Sequence, residues 1–178
     1  MKIAFDLGHG CKPDGGAVGI RSEEDLINEV GQIVIADLKE LGHQVILCRP
    51  AKVTSVMNSL WQRCNTANQN AADIFVSLHF NAFNGKAHGT ETYALSANGR
   101  KIGIPVQREI CKLGFADRGV KSGRFYVLKN TAMPAILIEG CFCDSSRDIK
   151  LFNAQAMANA ITVGLVGKLP VKDDCPCH

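Results

Sequence analysis

The sequence predicts an α/β fold: a single three-layer domain with a twisted, mostly parallel sheet flanked by helices. Short apolar runs recur at Lys2–Leu7, Gln44–Cys48, Asp73–His79 and Ala135–Glu139, each fit for a buried strand. Between them lie stretches whose apolar residues repeat every three or four positions, the period of an amphipathic helix. Helix, Gly42, then strand makes a β-α-β unit, which is parallel. At 178 residues the chain supports one core. No repeat, linker or second domain is visible, so residues 1–170 are assigned to the domain and residues 171–178 to a disordered tail.

The first strand stops at Gly8-His9-Gly10. Glycine on both sides lets the backbone bend and push the His9 imidazole beyond the sheet edge. A Gly-rich loop follows to Ile20, and loops of this length inside a compact domain are commonly functional. Ser22 opens a helix through Leu26, Ile27, Val30, Val34 and Leu38, which Gly42 stops. Thr54 is placed as the cap of a second helix through Leu60, Trp61, Cys64 and Ala67. The third strand ends at His79, and a polar loop runs from Asn81 to His88. Gly89–Leu95 alternates like a strand and is placed at the sheet edge. Arg100–Leu113 reads as a helix with Pro105 near its first turn. Tyr126–Leu128 reads as a short strand, and Ala135–Glu139 as the last. Ser145 to Asp148 has capping-box spacing and opens one final helix through Leu165, ended by Pro170.

Composition narrows the function. Hydrophobic residues make up 46% and charged ones 21%, an ordinary globular balance. The net charge is +3, and no basic stripe interleaved with aromatics argues for nucleic acid. No apolar run approaches the ~20 residues of a membrane span, and no secretory signal pattern opens the sequence. Eight cysteines are present without paired zinc-finger spacing, so they read as reduced thiols acting as small hydrophobes. Cys175-Pro176-Cys177-His178 is read as tail, with weak metal binding as the other option.

Three predicted strands end in an ionisable residue: His9, His79 and Glu139. Glu24 joins them from the first turn of the helix after the first loop. Sites in open α/β sheets form beyond the strands' carboxyl ends. Two histidines and a carboxylate can hold zinc with one position open, and a further carboxylate beside it can serve as general base and acid. The plainer alternatives are a polar turn at His9 and a capping or salt-bridged carboxylate at Glu139. His43 reads as solvated. His88 and Asn81 are considered for substrate contact or plain loop roles, and Arg63 and Lys121 for structural ones.

The motifs now become specific. Gly8-His9-Gly10 with Pro13, Gly16-Ala17-Val18-Gly19, Glu24-Asp25-Leu26-Ile27-Asn28, Ser77-Leu78-His79-Phe80-Asn81-Ala82, Gly89-Thr90-Glu91-Thr92-Tyr93, Tyr126-Val127-Leu128 and Pro134 to Phe142 occur in an order and spacing that resemble the zinc-dependent N-acetylmuramoyl-L-alanine amidases of the amidase-3 type. The likeness covers residues 2–168. It implies a Zn²⁺ cofactor bound by His9, Glu24 and His79, with Glu139 as catalytic carboxylate. Glu23 is the alternative to Glu24, which is preferred because Asn28 follows it by four residues. Cys11 departs from the family's small residue. The implied substrate is peptidoglycan, cut at the amide between N-acetylmuramic acid and the L-alanine of the stem peptide.

Some exported relatives carry an inserted helix after the second histidine that blocks the site. Only Phe80 to His88 stand there in this chain, so no obligatory activator is expected, and a monomer is. With no signal in the sequence and a substrate outside the membrane, the expectation is a phage lysin or mother-cell enzyme released by lysis, or an exported protein whose signal has been removed. The rival functions are a zinc exopeptidase, which would need a cation for a terminal carboxylate, and an inactive wall-binding module.

Overall fold

The computed structural model describes residues 1–171. Its elements are β1 (Lys2–Leu7), α1 (Glu23–Glu40), β2 (Gln44–Leu47), α2 (Val56–Gln69), β3 (Ile74–Asn81), β4 (Thr90–Tyr93), α3 (Ala97–Cys111), β5 (Asp117–Lys121), α4 (Tyr126–Lys129), β6 (Ala135–Phe142), α5 (Ser146–Leu151) and α6 (Ala154–Val166). The six strands form one sheet in the order β2-β1-β3-β6-β4-β5. Pairings β1–β2, β1–β3 and β3–β6 are parallel. β4 runs antiparallel to β6, and β5 parallel to β4. This is the mostly parallel, helix-flanked sheet expected.

Strand parity divides the molecule. Successive side chains on a strand point to opposite faces. Ile3, Phe5, Val76, Leu78, Ile136 and Ile138 pack with α1, α3 and α6 through Leu26, Val30, Val106, Ile110, Met157 and Ile161 in the larger core. Ala4, Phe75, Ala135 and Leu137 pack on the other face with Cys64 and Ala67 of α2 and Val127 and Leu128 of α4. By the same alternation, Asp6, Ser77, His79 and Glu139 belong to the α2 face. Polar residues thus take over that face toward the strands' carboxyl ends, where α2 and α4 leave it partly uncovered.

Several local expectations are corrected. Tyr126–Leu128 is not a strand but part of α4; three apolar residues carry no period that separates helix from strand. β4 is interior, because β5 pairs along its outer side. β5 reads Asp-Arg-Gly-Val-Lys, too polar for the apolar pattern because only one side is paired. The final helix is two. Phe152 is extended, and the Asn153 side chain accepts from Ala156 N to cap α6. Ser145 does cap α5 by accepting from Asp148 N. The cap of α2 is Ser55, not Thr54. α3 starts at Ala97 under Ser96, which leaves Pro105 inside the helix at the cost of one intrahelical hydrogen bond. That loss is offset by burial of Val106 and Ile110.

Cys11, Cys48, Cys64, Cys111, Cys141 and Cys143 are free. Burial pushes the thiol of Cys64 up to about 12 and that of Cys143 to about 11, which keeps them protonated and unreactive at neutral pH. The proposed tail, including Cys175 and Cys177, lies outside the described residues beyond Val171.

Candidate metal and catalytic site

β1 ends at Leu7, and the chain turns through two left-handed residues, His9 (φ 52°) and Gly10 (φ 77°). That conformation is unfavourable for a histidine, so the surroundings must impose it. Two guanidinium groups do so. Arg49 donates from Nε to Leu7 O (2.8 Å) and from Nη2 to Gly8 O (2.8 Å). Arg63 donates from Nη1 to Leu7 O (2.7 Å) and from Nη2 to His9 O (2.7 Å). Three successive carbonyls are thereby held from two sides. Gly8 must be glycine because a Cβ would stand 2.3 Å from His79 Cε1.

The Arg63 side chain is only 1% exposed and is neutralised by Asp6 (2.5 Å) and Asp14 (3.2 Å). Asp6 also accepts from Ser77 Oγ at 2.8 Å. Asp14 accepts from Ser59 Oγ at 2.6 Å, and its other oxygen lies 2.9 Å from His9 Nδ1. A carboxylate on Nδ1 fixes the ring and leaves Nε2 as the free donor atom. Burial opposes a charged Asp14, but bonds from Ser59 and His9 and the Arg63 charge outweigh it and hold its carboxyl below the usual range.

Glu23 is the first residue of α1, behind the N-cap Ser22. Its Oε1 stands 3.0 Å from His79 Nδ1 and 3.4 Å from His9 Nε2. Ala17 N donates to Oε2 (2.8 Å), and Phe80 N to Oε1 (3.2 Å). The two imidazoles meet edge-on, with centroids 4.8 Å apart. One ligand atom from each of His9, Glu23 and His79 falls within 4.8 Å of the others. Burial works against a charged Glu23, yet the two histidines hold its carboxyl far below the ordinary value. His9 is shifted the other way. Burial lowers it, but Glu23 and Asp14 raise it more, so the net shift is upward. Two imidazole nitrogens and a carboxylate oxygen at this spacing fit a zinc-type ion with one position open.

Glu24 therefore does not occupy the position first assigned to it. Helical spacing supplies the reason. Glu23 lies three and four residues before Leu26 and Ile27, which are fully buried, so it shares their inward face. Glu24 is partly exposed outside the cluster. Asn28, the residue that favoured Glu24, instead accepts from Arg49 Nη1 at 2.7 Å.

Glu139 lies in register with His79 across β3–β6 and with Glu91 across β6–β4. Both β3 and β6 continue past these residues, with a register shift between His79 and Asn81. Burial, then the charges of Glu23 and Glu91, pushes the Glu139 carboxyl up to about 8. Its Oε2 is buried without a hydrogen-bond partner among the described residues. An orphaned carboxylate oxygen in such a place is a candidate proton carrier.

A cavity of about 410 Å³ unites these groups. Its polar lining includes His9, Glu23, His79, Asn81 and Glu139, and its apolar lining includes Val56, Leu60, Phe125, Tyr126, Val127 and Leu137. Cys11 turns away from the ligand atoms, with its Sγ 3.4 Å from Ser59 Oγ and 3.7 Å from Arg63 Nη2. His43 meets the amino terminus at 3.3 Å. His88 contacts Lys86 O and Arg147 and does not line the cavity. Arg63 is structural, as read. Lys121 pairs with Glu91.

Asp14, Arg49, Ser59 and Glu91 were not singled out as partners of the site. The four-residue step from Ser59 to Arg63, which bond at 3.1 Å, was the one local signal for that pair.

The chain and its fold have close counterparts. An endolysin of Bacillus phage SPP1 is 32% identical over 91% of this chain and 62% of its own length. The catalytic domain of the CD27L endolysin targeting Clostridia difficile superimposes with a TM-score of 0.85 at 25% identity, covering 94% of this chain and 98% of that one. The N-acetylmuramoyl-L-alanine amidase AmiC2 of Nostoc punctiforme gives 0.84 at 31%, covering 94% and 96%. The chain spans between 34% and 62% of the length of the first curated relatives it matches. The family model for N-acetylmuramoyl-L-alanine amidase matches residues 3–167, and with the site geometry above it shows that this chain belongs to that family.

Proposed function

We propose that this protein is a zinc-dependent N-acetylmuramoyl-L-alanine amidase, hydrolysing the amide between the lactyl group of muramic acid and the L-alanine of the stem peptide. The observation that carries the reading is the meeting of His9, Glu23 and His79 beside Glu139 in one cavity, within a chain of this family.

His9 Nε2, Glu23 Oε1 and His79 Nδ1 would hold the ion. When bound, zinc supplies Lewis-acid polarisation at the scissile carbonyl and at the attacking water. This chain's own residues do the rest. Asp14 orients His9 through Nδ1. Glu139 takes a proton from the attacking water and passes it to the leaving amine. The bound cation would stabilise the ionised Glu139 and bring its pKa down from the high value of the metal-free site. The apolar wall from Val56 to Val127 suits the two methyl groups that flank this amide, one on the lactyl group and one on alanine.

Action on the cell wall follows from that substrate, and no described helix is long and apolar enough to cross a membrane. The segment between β3 and β4 contains no helix that would cover the site, which supports activity without an activator. A monomer suffices, because every proposed site residue comes from one chain.

The test is to incubate zinc-loaded protein with purified sacculi and identify the new ends by mass spectrometry. Free L-alanine amines with intact glycan strands are expected. Release of amino acids only from free peptide ends would replace this reading with an exopeptidase. Binding to sacculi without cleavage would replace it with a wall-binding module.

A further inference from the structure

The polar face does not end at Glu139. Glu91 is its cross-strand partner in the antiparallel β4–β6 pairing, so the two carboxylates share one face. One strand further out, β5 contributes two cations to the same carboxylate. Arg118 Nε donates to Glu91 Oε2 at 2.8 Å, and Lys121 Nζ pairs with that oxygen as well. Glu91 is 3% exposed at its side chain, whereas Arg118 is 36% and Lys121 38% exposed.

A buried carboxylate needs one cation to balance it. Glu91 has two, and it also accepts from Tyr93 Oη (2.8 Å) and Asn81 Nδ2 (3.1 Å). Counting Glu91, Arg118 and Lys121 by themselves, the cluster carries one surplus positive charge at a half-open surface. Asn81 also lines the cavity, so the charge adjoins the site.

Arg118 is held in place from two sides. Its guanidinium carbon lies 4.9 Å over the Phe142 ring, and Nε is committed to Glu91. Its terminal nitrogens make no hydrogen bond among the described residues, so a planar two-pronged donor remains for a ligand. That fork matches a carboxylate.

We propose that Arg118, seconded by Lys121, binds a carboxylate of the substrate peptide one or two residues from the scissile amide. This deepens the amidase reading and rests on it. The reach is right. β5 lies two strands from β6, about 10 Å at ordinary strand spacing, and Arg118 leans back toward β4. Two extended peptide residues span about 7 Å. Glu91 orients the fork, and its own charge is already neutralised by Lys121, so an incoming anion meets net attraction.

The test uses two muramoyl-L-alanyl dipeptides that differ only in whether the second residue's α-carboxyl is free or amidated. kcat/KM is measured for the zinc-loaded wild type, Arg118→Gln and Arg118→Lys. The wild type should prefer the free carboxyl by about tenfold, mostly through KM. Arg118→Gln should bring the preference to within about twofold, and Arg118→Lys should restore part of it. A wild type that treats both substrates alike, or an Arg118→Gln variant that keeps the full preference, overturns the proposal. Should neither compound be hydrolysed, the amidase reading fails separately. Calorimetric binding of the same pair then decides the subsite: tighter binding of the free acid, lost in Arg118→Gln, sustains it, and equal binding overturns it.

Discussion

Glu139 stands directly beside His79 across the β3–β6 pairing, on the sheet face where Glu23 brings the two histidines together. In the proposed mechanism two roles are thereby separated on neighbouring strands: holding an ion on β3 and moving a proton on β6. Glu139→Ala should retain zinc at one equivalent by elemental analysis yet lose turnover on cell wall by about three or more orders of magnitude. Near-normal turnover in that variant would remove Glu139 from the mechanism.

Glu23 and Glu24 can be told apart by the same metal assay. Glu23→Gln removes a proposed ligand whose partners are both imidazoles, and zinc affinity should fall by 100-fold or more. Glu24→Gln should change it by less than about threefold. The reverse order would restore the assignment of Glu24.

Asp14 reaches the proposed ion site through His9 Nδ1, and it also pairs with Arg63, which holds His9 O. Asp14→Asn should weaken zinc binding by roughly 10- to 100-fold, the usual cost of losing such a partner, while Glu139 and the cavity remain in place. Unchanged zinc affinity in a folded Asp14→Asn protein would show that Arg49 and Arg63 alone fix the ring.

Zinc binding must displace protons. His9 is raised by Glu23 and Asp14 against the effect of burial, so in the metal-free protein it holds its proton to higher pH than an ordinary imidazole. Affinity should fall as pH drops from about 8 to 6, and calorimetry in buffers of different ionisation enthalpy should register proton release. Proton-neutral binding across that range would contradict the electrostatics of the site.

The metal-free fold should also respond to pH through Glu139. Its carboxyl titrates near 4.5 when solvated and at about 8 when folded. Between those values the folded state holds the extra proton, so stability falls as pH rises through this window. Glu139→Gln keeps the shape without the charge. It should therefore stabilise the metal-free protein at pH 8.5 by about 1–3 kcal/mol, and much less at pH 5, by chemical denaturation. An equal gain at both values would assign the effect to packing.

The order of strands and helices was written in periodicity. Runs such as Ile74–Leu78 and Leu26–Leu38 report burial directly, because apolar residues at a fixed step can be hidden in only one way. His9, His79 and Glu139 were legible for a related reason: each follows a buried run leading to the same end of the sheet, although β3 and β6 continue two and three residues beyond His79 and Glu139. The inward turn of Glu23 was legible too, in its spacing from Leu26 and Ile27, but a motif argument resting on Asn28 pointed one residue away. What local sequence could not contain was the company each charge keeps. Arg63 lies 57 residues from Asp6 and 49 from Asp14, and Arg118 lies 27 from Glu91. β5 showed no apolar pattern because its partner, not its own composition, makes it a strand. Periodicity records how much water each residue loses on folding, whereas pairing of distant charges depends on which strands lie side by side, and only the tertiary structure decided that.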